Sequence, residues 1–158
     1  MSQKNKLAKV LIAGGALAFS MSVAYAFDNG DAEKGEKVFK KCQSCHEIGE
    51  NAENKSGPVL TGVIGRVAGT YEDYNYGKDL VAAGEAGLIW TDEELFEYLK
   101  DPKKYLRAKL DNPKAKSKMP LKLKKEKDRI NVIAFLKAHS PVEETDEGAE
   151  GEAATTTE

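Results

Sequence analysis

The sequence predicts an all-α fold with long loops. Three observations carry that prediction. Apolar residues recur at helical spacing in several separate segments, start and stop residues bracket those segments, and neither a strong run of alternating strands nor an internal repeat appears. The 158 residues suit one domain. Both ends look non-globular, so the expected folded domain is 27–142, enough for a modest core.

Gly30-Asp31 opens the first helical pattern, with Asp31 as N-cap and Val38 and Phe39 on the buried face. It runs into the hexapeptide "KCQSCH", Lys41 to His46. A glycine-rich connector follows from Gly49 to Gly69, whose turn residues argue for irregular backbone with at most short β-like pieces at Val63 and Val67. A weak helix is expected over Lys78 to Glu85. Thr91-Asp92-Glu93-Glu94 is a capping-box pattern, Thr at N-cap and Glu three residues on, opening a helix with Leu95, Phe96, Tyr98 and Leu99. Asp101-Pro102 closes it and starts another through Tyr105 and Leu106, because proline suits the first helical position. Pro113 to Pro120 is lysine-rich loop. The last helix is expected over Glu126 to Ala138, with Ile130, Ile133, Ala134 and Leu136 as its stripe and Ser140-Pro141 as its stop.

Residues 1–26 read as an export signal. Lys4, Lys6 and Lys9 precede the apolar run "VLIAGGALAF", and Ala24-Tyr25-Ala26 supplies the small-x-small cleavage pattern. The alternative is an uncleaved membrane anchor, but Val10 to Phe27 is barely long enough to span a bilayer and is diluted by Gly14, Gly15, Ser20 and Ser22. Cleavage after Ala26 would leave a mature chain outside the cytoplasm. Residues 143–158 hold seven acids, no base and no large apolar side chain, the composition of a disordered acidic tail.

Without those ends the domain carries 21 bases against 19 acids, about +2. The charge is uneven: 13 bases but only Asp101, Asp111, Glu126 and Asp128 lie between Lys100 and Arg129. Such a run is often just a solvated face. Nucleic acid is a poor fit for an exported chain with no aromatic platform. Steering towards an acidic protein partner fits better.

Cys42 and Cys45 are the only cysteines, and His46 follows directly. A disulfide between them would close a very short loop and staple almost nothing. A thioredoxin-like dithiol needs a βαβ setting, whereas this pattern is helix then loop. Zinc wants four ligands, and adjacent Cys45 and His46 are badly placed to share one tetrahedral ion. Covalent haem fits every feature: cysteines two apart can form thioethers along one porphyrin edge, and the next residue, His46, becomes the proximal iron ligand. Met1 and Met21 lie in the signal, leaving Met119 as the mature chain's one methionine, in the polar loop "KAKSKMPLKL". A thioether is a soft, neutral sixth ligand that raises the potential. The rival, His139, stands at the fraying end of the last helix. Iron saturated by His46 and Met119 suits outer-sphere electron transfer, so the chain reads as a carrier rather than an enzyme.

The motifs "GDAEKGEKVFKKCQSCH", "GPVLTGVIGR", "YNYGKDL", "GLIW", "LFEYLKDPKKYL", "KSKM" and "VIAFLK", in that order from Gly30 to Ser140, resemble the class I cytochromes c. The likeness is strongest to the bacterial periplasmic cytochrome c2 and c550 group, relatives of mitochondrial cytochrome c. It implies helices and long loops wrapped around one haem held through Cys42 and Cys45. It also implies site roles: the Pro58 carbonyl on the His46 Nδ1 proton, Arg66, Tyr76 and Trp90 at the haem propionates, and Tyr98 near the Met119 sulfur. Ser117 takes a family threonine position. Gly35, Phe39 and Phe135 would form the crossing of the first and last helices. Read without the family, Tyr98, Phe39 and Phe135 could equally be core aromatics, and Arg66 a solvent charge. Val59 stands where the family usually has Asn, Leu121 replaces a usual aromatic, and Pro120 follows the methionine directly.

The expectation is a monomeric periplasmic monohaem carrier. It would take electrons from the ubiquinol–cytochrome c reductase complex and pass them to a terminal oxidase or photosynthetic reaction centre. Lys40, Lys41, Lys103, Lys104, Lys116, Lys118 and Lys122 are candidate docking residues. Two alternatives stand beside it: a membrane-tethered carrier, and a haem sensor or small haem enzyme with an open distal face.

Overall fold

The computed structural model describes residues 29–140, so the expected signal, 1–26, and the acidic tail, 143–158, lie outside the described residues. Five helices appear within them: α1 (Ala32–Phe39), α2 (Lys78–Glu85), α3 (Asp92–Lys100), α4 (Pro102–Lys109) and α5 (Glu126–Lys137). The β-like expectation reduces to one antiparallel bridge, Val67 to Ile89. Val63 is instead a buried loop residue of the core.

Helix starts follow short-range chemistry. The Asp31 carboxylate accepts from the Lys34 amide at 2.9 Å. Asp101 does the same for the Lys104 amide at 3.1 Å, directly before Pro102, so one residue ends α3 and caps α4. Thr91 Oγ1 accepts from the Glu94 amide at 3.3 Å, but the reciprocal half of the expected capping box is missing. The Glu94 carboxylate goes to Tyr105 and Lys109 on α4 instead, because a phenol and an ammonium are stronger donors than one backbone amide.

The crossing of α1 with α5 is the most extensive packing between helices. Gly35 makes it close: a Cβ there would lie 2.0 Å from the Asn131 carbonyl oxygen and 2.7 Å from the Phe135 Cβ. Phe39 and Phe135 stack at 5.0 Å beside it, and the Asn131 amide oxygen accepts from the Asp31 amide at 3.1 Å, tying α5 to the start of α1. Arg129 is unexpected in a core. Only 3% exposed, it donates to the carbonyls of Leu123 and Lys124 at 2.8 and 2.9 Å and lies over the Phe96 ring. That pins the start of α5 to the segment leading away from Met119. The Leu123 amide donates to the Leu99 carbonyl at 2.8 Å, fixing the same segment to α3. The helices therefore surround a centre that loops 44–77 and 116–121 help to close.

Candidate haem-binding site

The chain leaves α1 in a further helical turn. The amides of Cys45 and His46 both donate to the Cys42 carbonyl, each at 2.9 Å, so both thiols and the imidazole ride on one turn. Neither cysteine is in a disulfide. Burial pushes the Cys42 thiol up to about 11, while hydroxyls of Ser56 and Ser44 lower that of Cys45. The His46 Nδ1 lies 2.7 Å from the Pro58 carbonyl oxygen. A carbonyl only accepts, so Nδ1 carries the proton and Nε2 keeps its lone pair for a ligand. Burial holds the imidazole below its ordinary value, with the Pro58 bond working against the shift; the ring is thereby kept in its neutral, ligating form.

Gly57, which sequence reasoning passed over, decides whether that ring fits. A Cβ there would meet the His46 ring at 2.4 Å. The only signal was its place before Pro58. The loop is stiffened from outside by Asn54, whose side chain accepts from the Val59 amide at 3.0 Å. Val59 itself is buried, which gives the departure from the usual Asn a packing role.

Cys42, Cys45 and His46 line one cavity of about 630 Å³, within the range typical of cofactor sites. Of the other expected site residues, Pro58, Arg66, Tyr76, Trp90, Tyr98, Ser117 and Met119 all line it too. Leu80, Leu95, Leu99, Leu121, Val132 and Leu136 supply apolar wall. The stripes of α3 and α5 named Leu95, Leu99 and Leu136, but neither Val132 nor which faces would remain uncovered.

Trp90 and Tyr98 pack at 4.8 Å between ring centres, and Tyr105 closes on both. Arg66 donates to the carbonyls of Val59 and Thr61 and lies over the Tyr71 ring, so it is held in place rather than solvated. Tyr76 is a further hydrogen-bond partner of its guanidinium. Ser117 organises the methionine loop: its Oγ accepts from the Met119 amide at 3.1 Å, donates to the Met119 carbonyl at 3.3 Å and sits 3.4 Å from the Tyr98 hydroxyl. His139 does not line the cavity. Nor is it merely solvated: its Nδ1 is 2.9 Å from the Phe135 carbonyl oxygen and its ring packs on Phe135.

The donor set fits haem. Two unbridged thiols on one turn, a neutral imidazole with a free nitrogen and a roomy apolar cavity are what a thioether-linked porphyrin needs. A zinc site has no counterpart, since no group of three or more His, Cys, Asp or Glu is gathered among the described residues.

The family model for cytochrome c matches residues 32–140. The chain belongs to the cytochrome c family. This cytochrome is 53% identical over 114 residues to cytochrome c-551 of Roseobacter denitrificans, covering 68% of this chain and 81% of that one. It is 48% identical over 120 residues to cytochrome c2 iso-2 of Rhodospirillum centenum, covering 72% and 99%. The solved structure of cytochrome c2 from Rhodospirillum centenum aligns with a TM-score of 0.69 at 49% identity, over 71% of this chain and 100% of that one. Ferric cytochrome c-550 from Paracoccus versutus aligns at 0.66 and 38%, over 71% and 99%. The cytochrome is thus of the bacterial class I, c2 type, an electron carrier rather than an enzyme, with a c-type haem attached through its cysteines, Cys42 and Cys45.

Proposed function

We propose that His46 and Met119 ligate the haem iron, and that the protein is a monomeric periplasmic shuttle. On this reading it carries single electrons from the ubiquinol–cytochrome c reductase complex to a terminal oxidase or photosynthetic reaction centre. One observation carries the ligand assignment: Met119 lines the same cavity as Cys42, Cys45 and His46, whereas His139 is engaged elsewhere. When bound, the haem supplies a one-electron iron couple with a potential raised by the thioether. The chain's own residues do the rest. Pro58 orients His46, Ser117 holds the backbone of Met119, and the leucine walls keep water from the cavity. Arg66, Tyr76 and Trp90 offer donors to the porphyrin carboxylates, which need them once buried.

The test is an absorption spectrum of the oxidised protein. A weak far-red sulfur-to-iron band is expected, and Met119→Ala should abolish it while thioether attachment persists. High-spin iron that binds carbon monoxide rapidly in the unaltered protein would refute Met119 ligation. Periplasmic export follows from residues 1–26 and predicts a mature N-terminus at Phe27; an intact Met1 on the purified protein would point to the tethered carrier. Lysine docking predicts that reduction by the reductase complex slows steeply with salt.

A further inference from the structure

The loop that carries Met119 is rooted in one peptide unit, between Ala115 and Lys116, and charged side chains take both of its polar ends. We infer, on the Met119 ligation proposed above, that Asp79 and Arg107 clamp this peptide between them and thereby position Met119 on the iron.

The two bonds come from different helices. The Asp79 carboxylate, in the first turn of α2, accepts from the Lys116 amide at 2.9 Å. Arg107, in the last turn of α4, donates from Nε to the Ala115 carbonyl oxygen at 3.2 Å. That carbonyl and that amide belong to one planar group, so a bond at each end stops it swivelling about its flanking torsions. Bonds at the two ends also polarise one another, and an ionised partner strengthens each. Helices α2 and α4 pack together, yet among the described residues no ion pair links Asp79 to Arg107. The two charges meet through the peptide.

Both supports are firm. Ala115 is fully buried, and the turn before it bonds internally: the Ala115 amide donates to the Asn112 carbonyl at 3.1 Å, and the Lys114 amide to the Asn112 side chain at 2.9 Å. Helix α2 is pressed onto its neighbouring loop, where a Cβ on Gly84 would lie 1.9 Å from the Ala68 carbonyl oxygen. Leu80, next to Asp79, is cavity wall. From the clamp the chain reaches Met119 in three residues. Ser117 then fixes the Met119 backbone, while the Lys118 stem lies against Gly77 and its Nζ donates to the Asn75 carbonyl at 2.6 Å. Residues 75–79 thus hold one side of the loop and Ser117 the other.

The experiment uses the full-length haem-loaded ferric protein. Imidazole is titrated in, and loss of the far-red sulfur-to-iron band reports displacement of Met119. A looser methionine raises the apparent affinity of the competitor in proportion to the fraction of iron left open. D79A and R107A should each bind imidazole about tenfold more tightly than the parent, the lower end for losing a bond to a charged group. D79N should lie between, because its carboxamide oxygen still accepts but without the charge. The double variant D79A/R107A should also gain about tenfold, since the clamp fails once either end is released. Parent-like affinity in both single variants overturns the proposal, even where their denaturant midpoints fall. A gain of about a hundredfold in the double variant overturns it too, making the two residues independent supports. In the ferrous protein the Lys116 amide proton should move upfield by NMR in D79A and in R107A; an unmoved resonance in D79A denies the bond itself. A parent with no far-red band to displace removes Met119 ligation, and the clamp's role with it.

Discussion

The Ser117 hydroxyl uses its hydrogen-bonding capacity locally, accepting from the Met119 amide and donating to the Met119 carbonyl, with the Tyr98 hydroxyl at 3.4 Å. Ser117→Ala should therefore leave haem attachment intact but loosen the methionine. The far-red band should bleach at a lower temperature than in the parent, and Ser117→Thr should restore it. Unchanged bleaching in the alanine variant would deny Ser117 a positioning role. Gly57→Ala is harsher, since the new methyl lands on the His46 ring. It should cost about 1–3 kcal/mol in denaturant unfolding, the usual scale of overpacking. These residues differ in how visible they were. Cys42, Cys45 and His46 fall within five residues, so a local pattern, with the export signal and no other cysteine, pointed to haem. Ser117 was reached only through family resemblance, and Gly57 not at all. What makes Gly57 matter is the distance to a ring eleven residues earlier, and no local pattern records that distance.

Among the elements, α1 and α5 depend on each other most. Gly35→Ala would press a methyl onto the Asn131 carbonyl and the Phe135 Cβ. Stability should fall by about 3 kcal/mol, the upper part of the overpacking range, because a carbonyl in a helix cannot move aside cheaply. Arg129→Ala should cost about 2–3 kcal/mol, because it strips the carbonyls of Leu123 and Lys124 of their buried donor and uncovers Phe96. Thermal melts of both variants check this, and a neutral Arg129→Ala would show that water replaces the guanidinium. Helix boundaries were readable because Asp31, Thr91, Asp101 and Pro102 act within one turn. The role of Arg129 was not, since a charge inside a lysine-rich segment looks like solvated surface until its two carbonyl partners are placed.

The molecule as a whole should be most stable between acid and alkaline limits. Bonds from Lys34, Lys55 and Lys122 hold Asp31, Glu47 and Asp101 below their ordinary values. Burial alone would raise Glu94, but Lys109 and Tyr105 outweigh it and its pKa is lowered as well. Groups lowered by folding stabilise above their unfolded values, 3.8 for Asp and 4.5 for Glu, and that stability is lost as pH falls through and below them. The acid limb should be shallower in high salt, because these pairs are largely exposed. Burial raises Tyr76, Tyr98 and Tyr105 above the ordinary 10.0, so the folded state favours the neutral phenol and stability falls as pH rises past 10.0. Denaturant midpoints across pH test both limbs; a Glu94→Gln variant with an unchanged acid limb would remove Glu94 from the account.

The two proposed ligands hang from very different supports. His46 rides on a backbone-bonded turn continuous with α1, whereas the stretch from Lys116 to Met119 is held largely by side chains: Asp79 on the Lys116 amide, Ser117 on Met119, and Lys118 on the Asn75 carbonyl. Local opening should begin on the methionine side. Amide hydrogens of 116–119 should exchange with deuterium through small fluctuations, while those of α1 and α5 wait for global unfolding. Evolution can then retune the sulfur side of the iron by substitutions in one loop, without reopening the helix crossing that holds the histidine.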